Sequence, residues 1–423
     1  MNLPALRLVF CLLLVTAAST AWAQTEPPLG ATLDPLIAYA RRHHPALADA
    51  QAQVDAAQQR AAYAGALPNP RLRLEWMDIT RGGEHGPNLL PTQVGSMRYS
   101  FMQELPWPGK RELQRGVAAA QAESAQAQAR DVATGLVAQI TDVFAQRYAL
   151  AQMQQQTRDI QHLLVQLEAA AAARYSSGLG AQQDVIRAQL EQTRVRSQLL
   201  ELEGRERRLA AQLNALLDRP GDAVLAPAEA LPALPPEERL SAASLRERVL
   251  RNNPSLAGNA ALLRAAQESR DLVRRDRYPD FSLGLAPVQM GDSIREWELM
   301  LEIAIPLQQG ARRAKEREAE AELDAARWRQ QASERQVLSE LDARLASLRT
   351  ARATAELIER DLLPQAELTY QSALSGYASG QVDFATVLEA QRQIHQAWLD
   401  RAQRQIEAYS AVSAIERLLG EAL

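Results

Sequence analysis

Five histidines, seven methionines and one cysteine are the side chains with which this chain could hold a soft or borderline metal ion. Their spacing offers no closed site. His43 and His44 are adjacent, so on a helix they point about 100° apart and share no face. A metal pair on one helix needs i,i+3 or i,i+4 spacing, or ligands from elsewhere. His85 falls in a polar loop rich in Gly and Pro, and His162 and His395 stand alone on helical stretches. Each reads as a solvent-facing histidine. Met77, Met97, Met102, Met290 and Met300 cluster in short strand-like stretches, where a copper path is conceivable. Apolar strand positions account for most of them more simply. No Gly-rich phosphate loop follows a strand, "SSGLG" (176–180) lacks the Lys-Ser/Thr that would follow one, and no nucleophile elbow or paired-carboxylate site stands out. The chain therefore reads as no enzyme, with no catalytic residue, no metal site and no cofactor.

The elements that would position these residues begin after a leader. "MNLPALRLVFCLLLVTAASTAWAQ" has one arginine, an apolar run, and Ala21-Trp22-Ala23 before Gln24, the pattern of a secretory signal covering 1–23. Cys11, the sole cysteine, lies in that run, so the mature chain would carry no thiol and no disulfide. Aromatics make up only 5% of the chain, while Ala and Gln fill long segments, which suits helices packed closely along their length. A net charge of −4 with interspersed signs gives no sign of a nucleic-acid surface. No run of about 18 apolar residues follows the signal, so a mature chain that crosses a membrane must do so as strands.

The chain is written twice. "HHPALADAQAQVDAAQQRAAYAGALPNP" (43–70) aligns without a gap with "NNPSLAGNAALLRAAQESRDLVRRDRYP" (252–279), and "RYSSGLGAQQDVIRAQ" (174–189) with "GYASGQVDFATVLEAQ" (376–391). The expected organisation is a first repeat over 24–219, a Pro-rich linker over 220–243 and a second repeat over 244–423. Each repeat reads as a helix (33–65 or 244–275), a β-hairpin (71–105 or 281–305), a very long helix, a turn and a long helix. Leu136, Ile140, Val143, Leu150, Met153, Ile160, Leu164 and Leu167 recur at spacings of three, four or seven. Val185 to Leu216 alternates threes and fours as a coiled-coil seam, interrupted by Gln192 and Glu206. On the helices alone, a soluble periplasmic coiled-coil adaptor remains an alternative.

In the hairpins, Leu72, Leu74 and Trp76 share one face, as do Met97, Tyr99 and Phe101, then Phe281, Leu283 and Leu285, then Trp297, Leu299, Leu301 and Ile303. Period-two alternation over roughly 9–11 residues, with tryptophan near the loop end, is the transmembrane barrel pattern. Two soluble hairpins on a core would show the same alternation, but the helices spend their apolar stripes on each other. Four strands cannot close a barrel when the smallest has eight, so copies must associate.

The signal, duplication, hairpins and paired turns together resemble the TolC-type outer-membrane efflux proteins over about 30–420, and "QELPWPGKR" (103–111) resembles their heavy-metal (cobalt-zinc-cadmium and copper-silver) branch. The resemblance implies a mainly α protein with a β-barrel part. It implies a homotrimer whose four strands per chain sit in outer-membrane lipid, with helices reaching into the periplasm of a Gram-negative cell. It implies a channel carrying cargo, heavy-metal cations or else organic compounds, from an inner-membrane RND-type pump through a periplasmic adaptor (a membrane fusion protein). A metal channel must release its cargo, so missing tight ligands do not argue against that cargo. The resemblance makes Ser177, Gly178, Leu179, Ser379, Gly380 and Gln381 the adaptor-contact tips. It makes Asp184, Tyr377 and Glu389 gate residues of the periplasmic mouth, while Val382 and Thr386 depart from the family's gating pattern. Trp76, Tyr99 and Trp297 become membrane-interface aromatics.

Overall fold

The computed structural model describes residues 29–80, 87 and 89–423; the expected signal, Cys11 and His85 lie outside them. Within each repeat, two short helices lead into a pair of strands and then a long helical hairpin. The first repeat has α1 (Leu33–His43), α2 (Pro45–Tyr63), β1 (Arg71–Met77), β2 (Ser96–Leu105), α3 (Lys110–Ser176) and α4 (Gln182–Leu216). The second has α5 (Ala242–Asn252), α6 (Pro254–Arg275), β3 (Asp280–Met290), β4 (Ser293–Ala304), α7 (Gln309–Leu357), α8 (Leu363–Ser379) and α9 (Phe384–Leu419).

The single opening helix expected over 33–65, and its counterpart over 244–275, are each broken in two. Both breaks precede a proline, Pro45 or Pro254, whose ring drives the residue before it out of helical conformation. His44 (ψ 123°) and Asn253 (ψ 123°) are accordingly extended. Each then caps the next helix: His44 Nδ1 accepts from the Ala46 amide at 3.2 Å, and Asn253 Oδ1 from the Leu256 amide at 2.9 Å. His44 is thus a structural cap, and a break of the same kind stands at the same place in both repeats.

The 67-residue α3 rises roughly 100 Å at 1.5 Å per residue. All eight of its expected seam positions, from Leu136 to Leu167, are buried. On α4 the buried line runs Ala188, Val195, Leu202, Leu209, a strict heptad. The two polar interruptions have partners on α3. Gln192 donates to the Leu164 carbonyl and the Glu168 carboxylate, and Glu206 accepts two bonds (3.1 and 2.8 Å) from the buried Arg147. In the second repeat the long helix is not continuous, because a π-turn at Ile358–Leu362 separates α7 from α8 just before Pro364. A wider turn absorbs the hydrogen bond that proline cannot donate.

Among the described residues four apolar clusters lie along the rods, the smallest being Ile358, Leu363 and Ala397 beside the π-turn. One gathers Leu36, Ile140, Phe144, Leu150, Leu213 and Leu217, and its counterpart in the second repeat gathers Leu245, Leu341, Leu348 and Ile415. The third, near the turns, joins Ile160, Leu164 and Leu167 of α3 with Tyr377, Phe384 and Leu388. Between the repeats the extended linker lies along the rods: Arg352 donates to the Pro235 carbonyl at 2.6 Å and the Tyr409 hydroxyl donates to the Pro232 carbonyl.

The hairpins of the two repeats join into one antiparallel sheet in the order β1-β2-β3-β4. Its register aligns Leu74 with Tyr99, Phe101 with Leu285, and Leu285 with Leu299, making one face apolar across all four strands. That face is bare: Leu299 is 80% and Trp297 64% exposed. The opposite face is charged, with Arg98 bonded to Glu75 and, across β3, to Glu298, each at 3.1 Å. At the foot of the sheet, "QELPWPGKR" forms a knot. Trp107 stacks on Tyr278 with ring centroids 4.8 Å apart, and buried Lys110 bridges Asp276 and Asp280 at 3.1 and 3.0 Å.

Candidate functional site

The α3–α4 and α8–α9 turns form two tips at the end of the rods remote from the sheet. Their backbones are built alike. In the first, the Leu179 amide bonds back to the Arg174 carbonyl (2.9 Å) and the Gly178 amide to the Tyr175 carbonyl (3.0 Å). In the second, Gln381 bonds to Gly376 (2.8 Å) and Gly380 to Tyr377 (3.1 Å). This is the Schellman closure, which needs a left-handed residue after the helix. Gly178 (φ 75°) and Gly380 (φ 78°) supply it. Ser177 and Ser379 donate their hydroxyls back to carbonyls of their own helices. All six expected contact residues, Ser177, Gly178, Leu179, Ser379, Gly380 and Gln381, are exposed.

The side chains under the two turns differ. Tyr377 is only 7% exposed, packed 5.2 Å (centroids) from the fully buried Phe384. The Arg174 guanidinium lies over its ring at 4.8 Å and donates to the Ala378 carbonyl (3.0 Å) and the Leu179 carbonyl (3.4 Å). One arginine thus ties both tips of the chain together. Among the described residues the Tyr377 hydroxyl has no hydrogen-bond partner. Burial pushes it up, the nearby Asp184 carboxylate adds to the rise, and Arg174 opposes it. Asp184 and Tyr377 are therefore within electrostatic reach but not bonded to each other in one chain. An unpaired buried hydroxyl costs on the order of 1–3 kcal/mol, so this one is poised to accept or donate a bond from outside.

Above the tips sits a polar layer between α3, α4 and α9. Buried Glu191 is gripped by Arg392 at 3.1 and 2.6 Å, which holds its carboxyl below the usual carboxylate range. Glu389 is exposed on the same helix, 3.7 Å from Arg392. Gln391 is 2% exposed, and neither amide atom has a partner among the described residues. His395, expected to face solvent, is buried and contacts the Thr157 hydroxyl at 3.3 Å. Burial pushes its imidazole down, against the pull of Glu191. The helix face, rather than the residue type, decided this: His395 falls four positions after Gln391, on the seam. His162 is exposed, and His43 stacks on Tyr39. Among the described residues no three His, Cys, Asp or Glu side chains gather as a metal site.

At the sheet, Trp76 and Trp297 stand on the apolar face near its loop end, with Trp76 donating to the Leu89 carbonyl at 3.2 Å. Tyr99 lies further along, opposite Leu74, its hydroxyl bonded to Gln289 at 2.8 Å.

Sequence reasoning missed Arg174, Glu191, Arg392 and Gln391. For Arg174 there was a signal, since it aligns with Gly376 at the start of the repeated turn, a large charged group against none. For Glu191 and Gln391 there was little: both stand three or four positions from buried residues such as Ala188, Val195 and Leu388, but a polar side chain gives no hydrophobic signal of burial.

A family model described as outer membrane efflux protein matches residues 36–219 and 245–421, one segment in each repeat. The cobalt-zinc-cadmium resistance protein CzcC of Cupriavidus metallidurans is 25% identical over 397 residues, covering 92% of this chain and 90% of that protein. Among solved structures, CusC superposes with a TM-score of 0.79 at 17% identity, covering 95% of this chain and 96% of its own. VceC of Vibrio cholerae gives 0.78 at 18% (92% and 96%), and the outer-membrane channel OprN 0.76 at 21% (92% and 90%). The chain belongs to the outer membrane efflux protein family.

Proposed function

We propose that this outer-membrane efflux protein is one subunit of a homotrimeric channel that exports heavy-metal cations received from a periplasmic adaptor and an inner-membrane RND-type pump. The observation that carries the oligomer is the open sheet. Among the described residues β1 and β4 are edges that pair with no further strand, beneath a bare apolar face. In lipid each unpaired backbone group costs several kcal/mol, so the edges must pair with other copies. Three copies bring twelve strands, enough to leave a lumen lined by the charged face.

Trp76, Tyr99 and Trp297 would then lie against lipid, and the exposed tips at Ser177–Leu179 and Ser379–Gln381 would receive the adaptor. The matching backbones of the two tips support a ring of six similar docking points. Asp184, Tyr377 and Glu389 would line the mouth, with the unpaired Tyr377 hydroxyl available to a neighbouring subunit. The repeats would divide as 24–219 and 244–423 about a 220–243 linker. Support for metal cargo is the likeness to CzcC along 92% of the chain. Growth of a deletion strain and its complement across zinc, cobalt, cadmium, copper, silver, lipophilic dyes and antibiotics tests it. Metal sensitivity alone is expected. Sensitivity to dyes and antibiotics with unchanged metal tolerance would overturn the cargo and leave an organic-efflux channel.

A further inference from the structure

The charged face of the sheet carries a feature that electrostatics does not require. Met102 on β2 and Met300 on β4 stand in one row on either side of Gly284 on β3, which pairs with both. They share the face of Arg98, Glu298 and Glu302, not that of the leucines; Met97, by contrast, lies on the apolar face. Over Gly284 the two side chains converge. The point a β-carbon of residue 284 would occupy is 3.0 Å from Met102 Cγ and 3.2 Å from Met300 Cε. Each of these carbons is bonded to its thioether sulfur.

A glycine inside a strand costs stability and packs nothing. A β-carbon here would press on both methionine side chains, so the position is kept open for them. The absent β-carbon lets two flexible thioethers meet on a face otherwise given to charge. Arg71 pairs with Met102 in the same row, one neighbouring row carries Glu104 and Glu302, and the other carries Arg73 and Glu298. Among the described residues every arginine on this face is engaged by a carboxylate, Arg71 by Glu104 at 3.8 Å, Arg73 by Glu75 at 3.7 Å and Arg98 by Glu75 and Glu298 at 3.1 Å, and the carboxylates outnumber them. The local field therefore favours a cation. Neutral sulfur donors select soft ions over zinc or cobalt, which prefer nitrogen, oxygen or thiolate.

We propose that Met102 and Met300 form a low-affinity contact site for a soft monovalent cation, Ag⁺ or Cu⁺, on the charged face of the sheet. Two thioethers hold such an ion weakly, which suits a site from which an ion must leave again. The proposal deepens the metal-export reading by naming the ion class, yet its test does not depend on export.

The test is Ag⁺ titration of the purified, lipid-reconstituted mature protein in chloride-free buffer, in which no thiol competes once Cys11 has left with the signal. We expect saturable Ag⁺ binding that weakens at least tenfold in Met102→Leu/Met300→Leu, with sulfur neighbours in the silver X-ray absorption spectrum. Gly284→Ala, which keeps both sulfurs but crowds them, should weaken binding too. Zn²⁺ binding should be the same in all three proteins. Unchanged Ag⁺ affinity in the double variant, silver without sulfur neighbours, or a parallel loss of Zn²⁺ binding would each overturn the site. Those results leave the export reading standing, because deletion-strain sensitivity judges that separately. Circular dichroism and migration of the unheated oligomer confirm that each variant is assembled.

Discussion

At the first tip Tyr175 is exposed and Gln182 faces water; at the second, the aligned Tyr377 and Phe384 are buried in the apolar core they share with α3. The first turn enters α4 from Ala181, which offers no side-chain cap, whereas Asp383 caps α9 by accepting the Thr386 amide (2.9 Å) and hydroxyl (2.6 Å). Arg174 in the first turn reaches across to the second, where Gly376 has no side chain to reach back. Duplication kept the backbone closure and let the packing beneath diverge. Both hairpins feed the same core, the first through Leu167, Ala171 and Ala188, but only the second buries aromatic residues of its turn in it.

The largest expected contrast comes from Phe384→Ala against Gln182→Ala. Emptying the fully buried site should cost about 3–5 kcal/mol, while the exposed glutamine should cost no more than about 0.5 kcal/mol. Amide hydrogen exchange across 376–390 and 174–188 would read both. Similar losses at the two tips would mean that they are anchored alike.

Arg174→Ala should have a smaller but shared effect. Two hydrogen bonds and a ring contact, partly exposed, are worth about 1–2 kcal/mol together. Exchange should accelerate at both turns, and Arg174→Lys should restore only part, since an ammonium lacks the planar fork. Acceleration confined to 174–180 would break the idea that this arginine couples the tips.

The smallest contrast is in acid. Its bonds to Thr386 hold the Asp383 carboxyl below the ordinary aspartate range. A depressed carboxylate contributes stability that is present above its unfolded pKa and lost as pH falls through the folded one. The first turn of α9 should therefore loosen in that acid range while the start of α4 does not follow. Exchange at Ala385–Leu388 measured against pH, with and without Asp383→Ala, checks this. A pH dependence that survives the substitution would assign it elsewhere, with His395 the next candidate. Burial favours neutral His395, so its contribution also weakens as pH drops below the usual histidine range.

Much of the architecture could be read from the residues. Every expected seam position of α3 is buried, and the alternation in the hairpins marks which strand residues share the apolar face. Periodicity is a local property, so it survives without knowledge of partners. The helix breaks at Pro45 and Pro254 were also local, but the apolar pattern runs straight through them and masked the proline. Burial of His395, Glu191 and Gln391 was not legible, because it depends on which face of α4 and α9 meets α3. The tip residues were found by their repetition, yet repetition marked the turns as equal where the packing makes them different.

The sequence by itself determined the duplication, the rods, the two glycine turns and the face of each strand, since all follow from spacing along one chain. Tertiary structure alone decided that the strands of the two repeats join in one sheet, that Arg174 spans both tips, and that Met102 and Met300 meet over Gly284. These contacts join residues far apart in the chain. Their geometry is set by register and packing between elements, which no local pattern encodes.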